Sequence, residues 1–126
     1  MLKRHVMKKK ILIIDDKEAI AKILKMYIGK DNDITWFENP KLAIEWLDQG
    51  HKPDLIITDL NMPIMKGEDF LKYLKGNEFY KDIKTIILSS NDSTTERIRL
   101  LQMGADDYII KPFNPIELNI RVNKLL

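Results

Sequence analysis

The stretch Lys10-Ile-Leu-Ile-Ile-Asp-Asp16 decides the fold: a short apolar run that stops on two carboxylates. Outward from it, the same arrangement recurs. Asp54-Leu-Ile-Ile-Thr58 stops on Asp59, and Tyr108-Ile-Ile110 stops on Lys111, with Pro112 after it. Short β-branched runs of this kind read as strands buried on both faces. Open parallel sheets carry their ligand sites outside the carboxyl ends of the strands. All four charges are therefore expected at one rim of one sheet. Crowded carboxylates bind a hard cation or hold a proton. A lysine beside them neutralises a carboxylate or holds a phosphate.

The rest of the chain supports that frame. Apolar runs at Ile11–Ile14, Ile34–Phe37, Leu55–Thr58, Thr85–Leu88 and Tyr108–Ile110 alternate with helical patterns. Those patterns are carried by Ile20, Ile23, Leu24, Tyr27 and Ile28; by Ala43, Trp46 and Leu47; by Phe70, Leu71 and Leu74; by Ile98 and Leu101; and by Leu118, Val122 and Leu125. Asn39-Pro40 and Asn114-Pro115 read as an N-cap followed by proline at the first helical position. Ser93-Thr-Thr-Glu96 fits a capping box, and Gly29, Gly50, Gly76 and Gly104 fall near helix ends. Five βα units imply an α/β fold, a parallel sheet with helices on both faces. The second strand, with Asp33, Thr35 and Trp36, reads as an edge. No linker or repeat divides the chain, and no second domain is expected within it.

Bulk properties narrow the function. The 126 residues suffice for one core, and 44% hydrophobic with 32% charged residues suits a soluble domain. A net charge of +2 is too small to imply nucleic-acid binding. Lys8, Lys9 and Lys10, with Lys3 and Arg4, make a basic N-terminal stretch, and residues 1–9 read as a solvated lead-in to the first strand rather than a nucleic-acid arm. No cysteine is present, which excludes disulfides, thiolate catalysis and Cys-based zinc sites. No apolar stretch reaches membrane-spanning length, no secretory signal is recognisable, and the cytoplasm is the expected compartment.

Each rim residue has an ordinary explanation when taken singly. Asp16 could cap a helix, Asp59 could be a turn aspartate before Pro63, and Ser89 and Ser90 could be strand-end hydroxyls. Lys111 could be a solvated lysine. Together they would require coincidence at the ends of strands 1, 3, 4 and 5. The ordered set Asp15-Asp16, Asp59-Leu-Asn-Met-Pro-Ile-Met-Lys-Gly67, Ser89-Ser90 and Gly104-Ala-Asp-Asp-Tyr-Ile-Ile-Lys-Pro-Phe113 resembles the response-regulator receiver domain of the chemotaxis-regulator-like type. The resemblance covers nearly the whole chain, residues 10–126.

The resemblance implies a flavodoxin-like three-layer fold with strand order 2-1-3-4-5. It implies Asp59 as phosphoacceptor for a histidine kinase or phosphotransfer protein, and Mg²⁺ held by Asp15, Asp16, the Asp59 side chain and the Asn61 main-chain carbonyl. Ser89 and Lys111, with Ser90 beside them, would form the phosphoryl-contacting set. Ser89 and Tyr108 would be the switch pair, and Lys111-Pro112 would be cis. The family often has threonine where Ser89 stands and alanine where Ser90 stands; Ser89 keeps the hydroxyl. Movement of the switch pair would alter the face of the fourth helix, fifth strand and fifth helix. That face would include Arg97, Leu101, Tyr108, Asn119 and Arg121, and would bind a downstream effector or a second receiver. Neither direct nucleic-acid contact nor membrane association is expected, and no enzymatic activity beyond the chain's own phosphorylation and dephosphorylation.

Three rival readings fit less well. A haloacid-dehalogenase-like aspartyl-phosphate hydrolase wants a second aspartate two residues after the nucleophile, where this chain has Asn61. A flavodoxin-like cofactor carrier wants a hydroxyl- and glycine-rich phosphate loop where this chain has Asp15-Asp-Lys-Glu18. A docking-only pseudo-receiver usually lacks a site residue, and none is lost here. Whether the domain stands alone or belongs to a larger regulator with its own output module is left open by these residues.

Overall fold

The computed structural model describes residues 8–126; Lys3 and Arg4 of the expected lead-in lie outside the described residues. Among the described residues ten elements alternate without exception: β1 (Lys9–Ile14), α1 (Glu18–Ile28), β2 (Asn32–Phe37), α2 (Pro40–Asp48), β3 (Leu55–Asp59), α3 (Gly67–Lys75), β4 (Lys84–Ser89), α4 (Thr94–Gln102), β5 (Asp107–Ile110) and α5 (Pro115–Leu125). Strand β1 starts at Lys9, one residue before the boundary expected from the sequence. The five strands are parallel in the order β2-β1-β3-β4-β5. This is the flavodoxin-like order, and β2 is an edge as expected.

Side-chain alternation divides the core in two. Ile11, Ile13, Leu55, Ile57, Ile86, Leu88 and Ile109 face one side, where Leu24 and Ile28 of α1 and Leu118 and Val122 of α5 cover them. Leu12, Ile14 and Ile56 face the other side, under Ala43 and Leu47 of α2 and Phe70 and Leu74 of α3. Ile87 and Tyr108 continue that second side under Leu71 and Leu100. Each fully buried aliphatic side chain contributes roughly 1.5–3 kcal/mol, so both helical layers are held firmly on the sheet.

Two helices differ in detail from the periodicity reading. In α1 the buried stripe is Ala21, Leu24 and Ile28, while Ile23 and Tyr27 are exposed. In α4 only Leu100 is buried, while Ile98 and Leu101 are exposed. Successive helical residues are about 100° apart, so Leu100 turns Ile98 to the far side of α4. One apolar residue suffices there because α4 packs over the edge of the sheet.

The caps follow the sequence closely. Asn39 accepts from the Leu42 N–H at 3.0 Å, and Asn114 accepts from Ile116 and Glu117. Only half of the expected capping box forms. Ser93 accepts from the Glu96 N–H at 3.3 Å, but the Ser93 N–H donates to Asn91 and the Glu96 carboxylate turns to Arg99. Asp16 does not cap α1: Lys17 holds the N-cap position and makes no side-chain cap.

Register carries the rim residues to one place. Ile14 lies opposite Thr58, so the next residues, Asp15 and Asp59, emerge side by side. Ser89 lies opposite Ile110, which puts Lys111 one step beyond. After β3 the chain must turn sharply back into α3, and Gly67 makes that possible. Its N–H donates to the Leu60 carbonyl at 2.8 Å, and a Cβ on Gly67 would collide with the Asp59 carbonyl oxygen and lie 2.8 Å from Leu60 Cα. Gly67→Ala is therefore expected to destabilise the fold by about 1–3 kcal/mol through overpacking, measured by urea unfolding. It should also displace Asp59 and impair the site more than that loss of stability explains. A variant with parental stability would show that the turn yields freely.

Candidate functional site

Asp15, Asp16 and Asp59 bring carboxylate oxygens within 4.8 Å of one another at the carboxyl ends of β1 and β3. Asp15 and Asp59 are buried, and Asp16 is exposed. Lys111 reaches in from the end of β5, its Nζ 3.1 Å from Asp15 Oδ2 and 3.4 Å from Asp59 Oδ1. Ninety-six residues separate Lys111 from Asp15 along the chain. Only the parallel sheet brings them together.

Main-chain groups fix the two buried carboxylates. Asp15 Oδ1 accepts from the Lys17 N–H at 2.9 Å, and the Asp15 carbonyl accepts from the Trp36 indole at 2.8 Å. Asp59 Oδ1 accepts from the Leu60 N–H at 2.8 Å. Burial pushes the Asp59 carboxyl above its ordinary value of 3.8. Lys111 opposes that rise, Asp15 adds to it, and the Leu60 and Asn61 N–H groups oppose it. The site thus stores unrelieved negative charge, with one lysine set against three aspartates.

The donor set fits a hard divalent cation. Three carboxylates match what magnesium or calcium accepts, and among the described residues this cluster holds no thiolate or imidazole of the kind a softer metal prefers. Asn61 is exposed, and its N–H faces the Asp59 carboxylate.

The remaining residues singled out in the sequence surround this centre. Ser89 is fully buried, and its Oγ accepts from the Asn91 N–H at 3.1 Å. Ser90 is exposed just past the end of β4. Tyr108 is buried, and its hydroxyl donates to the Asn91 carbonyl at 2.7 Å. The tyrosine therefore already packs inward while the Ser89 hydroxyl is engaged with Asn91. The Lys111-Pro112 bond is cis. On the α4–β5–α5 face, Leu101 is exposed, Arg97 and Asn119 are half-buried, and Arg121 is tied to Asp107 at 2.9 Å and Glu117 at 3.1 Å.

Sequence reasoning missed Asn91, which bonds to both Ser89 and Tyr108 through its main chain. Its position two residues after Ser89 was visible, but a main-chain role leaves no mark on residue type. It also missed Arg99, whose guanidinium bridges Glu68 and Glu96.

Comparison with known proteins agrees with the geometry. The family pattern of the response regulator receiver domain matches residues 11–123. The alkaline phosphatase synthesis transcriptional regulatory protein PhoP of Bacillus subtilis is 33% identical over 121 residues, covering 95% of this chain and 49% of PhoP. The chemotaxis protein CheY1 of Helicobacter pylori is 31% identical over 119 residues, covering 93% of this chain and 96% of CheY1. The chain thus spans about half the length of the PhoP-like relatives and nearly all of CheY1. Among solved structures, the receiver domain of the Francisella response regulator 1452 superposes with a TM-score of 0.85 at 37% identity, covering 94% of this chain and 96% of that one. Among the described residues no helix is long and apolar enough to cross a membrane. With the pattern matched from Ile11 to Asn123 and the strand order and acidic rim in agreement, this chain belongs to the response regulator receiver domain family of two-component systems.

Proposed function

We propose that Asp59 is the phosphoacceptor of this receiver, taking its phosphoryl group from a histidine kinase or phosphotransfer protein in the cytoplasm. The observation that carries this reading is the Lys111 ammonium held between Asp15 and Asp59 at the strand ends. A carboxylate attacks phosphorus only where the negative charge on both partners is offset. Lys111 offsets it on one side. Asp15, Asp16, the Asp59 side chain and the Asn61 main-chain carbonyl would hold Mg²⁺, which supplies the remaining charge compensation when bound. Positioning and charge stabilisation are most of what phosphoryl transfer needs. An Asp59 oxygen forms the new P–O bond as the bond from phosphorus to the donor breaks, leaving an acyl phosphate.

The phosphorylated Asp59 would carry about −1.5 to −2 charge, by analogy with other phosphoresidues. Its new acceptor oxygens would draw the Ser89 hydroxyl away from Asn91 and engage Lys111, with Ser90 at the exposed margin of the same set. Asn91 is shared between Ser89 and Tyr108, so a change at Ser89 passes directly to the tyrosine and to the start of α4. The face of α4, β5 and α5 then presents itself differently to a downstream effector or a second receiver. The matched length fits either a CheY1-like stand-alone regulator or the receiver half of a longer PhoP-like one.

Incubation with acetyl phosphate and Mg²⁺ is expected to add one alkali-labile phosphoryl group. The ligand role has its own test. Trp36 donates to the Asp15 carbonyl, so its fluorescence should report metal entering the acidic rim. Asp16→Ala, an exposed and structurally mild change, is expected to weaken Mg²⁺ at least about tenfold, the loss of one of its few carboxylate ligands. An unchanged titration would remove Asp16 from the ligand set.

A further inference from the structure

A second charged group lies in a cleft beside the Asp59 pocket. Leu60 and Asn61 from the turn after Asp59, Ser89 from the end of β4, and Lys66, Glu68 and Glu96 line a cleft of about 200 Å³. Its side-chain charges are one lysine against two glutamates, a net of one negative charge. Arg99, on α4 just behind the lining, cancels it. Its Nη1 and Nη2 donate to the two Glu68 oxygens at 2.6 and 2.9 Å. Its Nη2 and Nε donate to the two Glu96 oxygens at 2.7 and 3.2 Å. The Arg99 hydrogen bond holds the Glu68 carboxyl below the usual carboxylate range.

These ion pairs are half-exposed, with the Arg99 side chain 42% accessible. Isolated exposed pairs add little to stability, but a bidentate arginine shared by two carboxylates can add more, so a strut between α3 and α4 is the rival role that the test must separate. The bridge also has an electrostatic consequence. A phosphoryl donor is an anion, and it must approach a pocket that already holds three carboxylates against one lysine. Without Arg99, Glu68 would keep only its Lys72 contact at 3.6 Å and Glu96 would lose its ion pair, and the negative charge uncovered there would repel the donor before it arrived. Charges lining a cleft act on encounter, in proportion to their screening by salt.

We propose that Arg99 governs the rate at which small anionic donors phosphorylate Asp59, by offsetting the charge of Glu68 and Glu96 in the cleft beside the pocket without touching the phosphoryl group. The inference rests on Asp59 being the acceptor. It makes Arg99 a residue that sets the field, not one that positions α4.

The test is phosphorylation of the full chain by acetyl phosphate with saturating Mg²⁺, followed as a function of donor concentration. Arg99→Gln is expected to slow the reaction about threefold to tenfold at low ionic strength, through a higher half-saturating donor concentration and an unchanged limiting rate. The deficit should close at about 0.5 M salt, where the Debye length falls to a few ångströms. Arg99→Lys, which keeps the charge but not the fork, should retain most of the parental rate. Arg99→Gln combined with Glu68→Gln restores the parental net charge with no bridge, and should restore the rate as well. A parental rate in Arg99→Gln would overturn the inference. So would a deficit that survives high salt or persists in the double variant, because either would make Arg99 a strut between α3 and α4. A parent chain that takes up no phosphoryl group would instead bring down the assignment of Asp59, and this inference with it.

Discussion

Asp59→Asn is expected to take up no phosphoryl group from acetyl phosphate in the presence of Mg²⁺, because an amide cannot form the acyl phosphate. The same substitution should change stability in a direction set by burial. Burial raises the Asp59 carboxyl above its ordinary value, with Asp15 adding to the rise. A carboxyl whose folded pKa is raised binds its proton more tightly in the folded state. Its contribution to stability is fully present below the unfolded pKa of about 3.9 and is lost as pH rises through the folded value. The substituted amide carries no charge, and its oxygen can still accept from the Leu60 N–H as the carboxylate does. In metal-free buffer the variant should therefore be more stable than the parent at neutral pH, with the gap closing toward pH 4. Thermal unfolding across that range measures the gap, and intact mass measures the labelling. Full labelling of the variant at another residue would remove Asp59 from its role; a variant less stable than the parent at pH 7 would mean that the carboxylate is not under electrostatic strain.

The rim of the site was legible because it depends on strand ends, and strand ends are marked in the sequence. Ile11–Ile14, Leu55–Thr58 and Tyr108–Ile110 each stop abruptly at a charge. In a parallel sheet that coincidence has one geometric meaning, and the register of Ile14 with Thr58 realises it. The helical faces were less legible. In α4, Ile98 and Leu101 look like the inward pair, yet Leu100 takes the core position and leaves both exposed. With so few apolar residues in the helix, periodicity cannot choose the rotation, and the sheet edge beneath chooses it instead. The half-formed capping box has the same origin. Ser93 and Glu96 have the right spacing, but Arg99 offers the Glu96 carboxylate a charged partner that binds it more strongly than a main-chain N–H. The Arg99–Glu68 bridge joins residues thirty-one apart on different helices. It depends on that rotation of α4, and nothing in the local sequence announces it.

Lys111→Ala separates a working lysine from a surface one. An exposed pair is worth roughly 0–1 kcal/mol, whereas removing one partner of a buried pair costs about 3–5 kcal/mol by leaving charge uncompensated. Here the Lys111 side chain is 13% exposed, and those of Asp15 and Asp59 are 1% and 8% exposed. The buried case therefore applies, and a loss of about 3 kcal/mol is expected in metal-free buffer at neutral pH. Lys111 is the cation that holds the Asp59 carboxyl down, so the variant's folded carboxyl rises further. The sign follows as before: the part of the penalty carried by Asp59 is largest at neutral pH and shrinks as its carboxyl protonates on acidification. Millimolar Mg²⁺ should recover part of it by binding the folded state alone. Acetyl phosphate should still label Asp59, more slowly, since the acceptor carboxylate remains. What is expected to fail is the response, because new phosphoryl oxygens would no longer find the ammonium at the end of β5. Taking the switched state from about 1% to 99% requires roughly 5.5 kcal/mol of difference between the two forms, and a missing charge-assisted contact to a phosphoryl group removes a large share of that. Amide shifts recorded with Mg²⁺ and a beryllofluoride phosphate mimic should then move in α4 and β5 of the parent and stay near their resting values in the variant. Parental stability together with parental shifts would return Lys111 to the status of an ordinary lysine at a strand end.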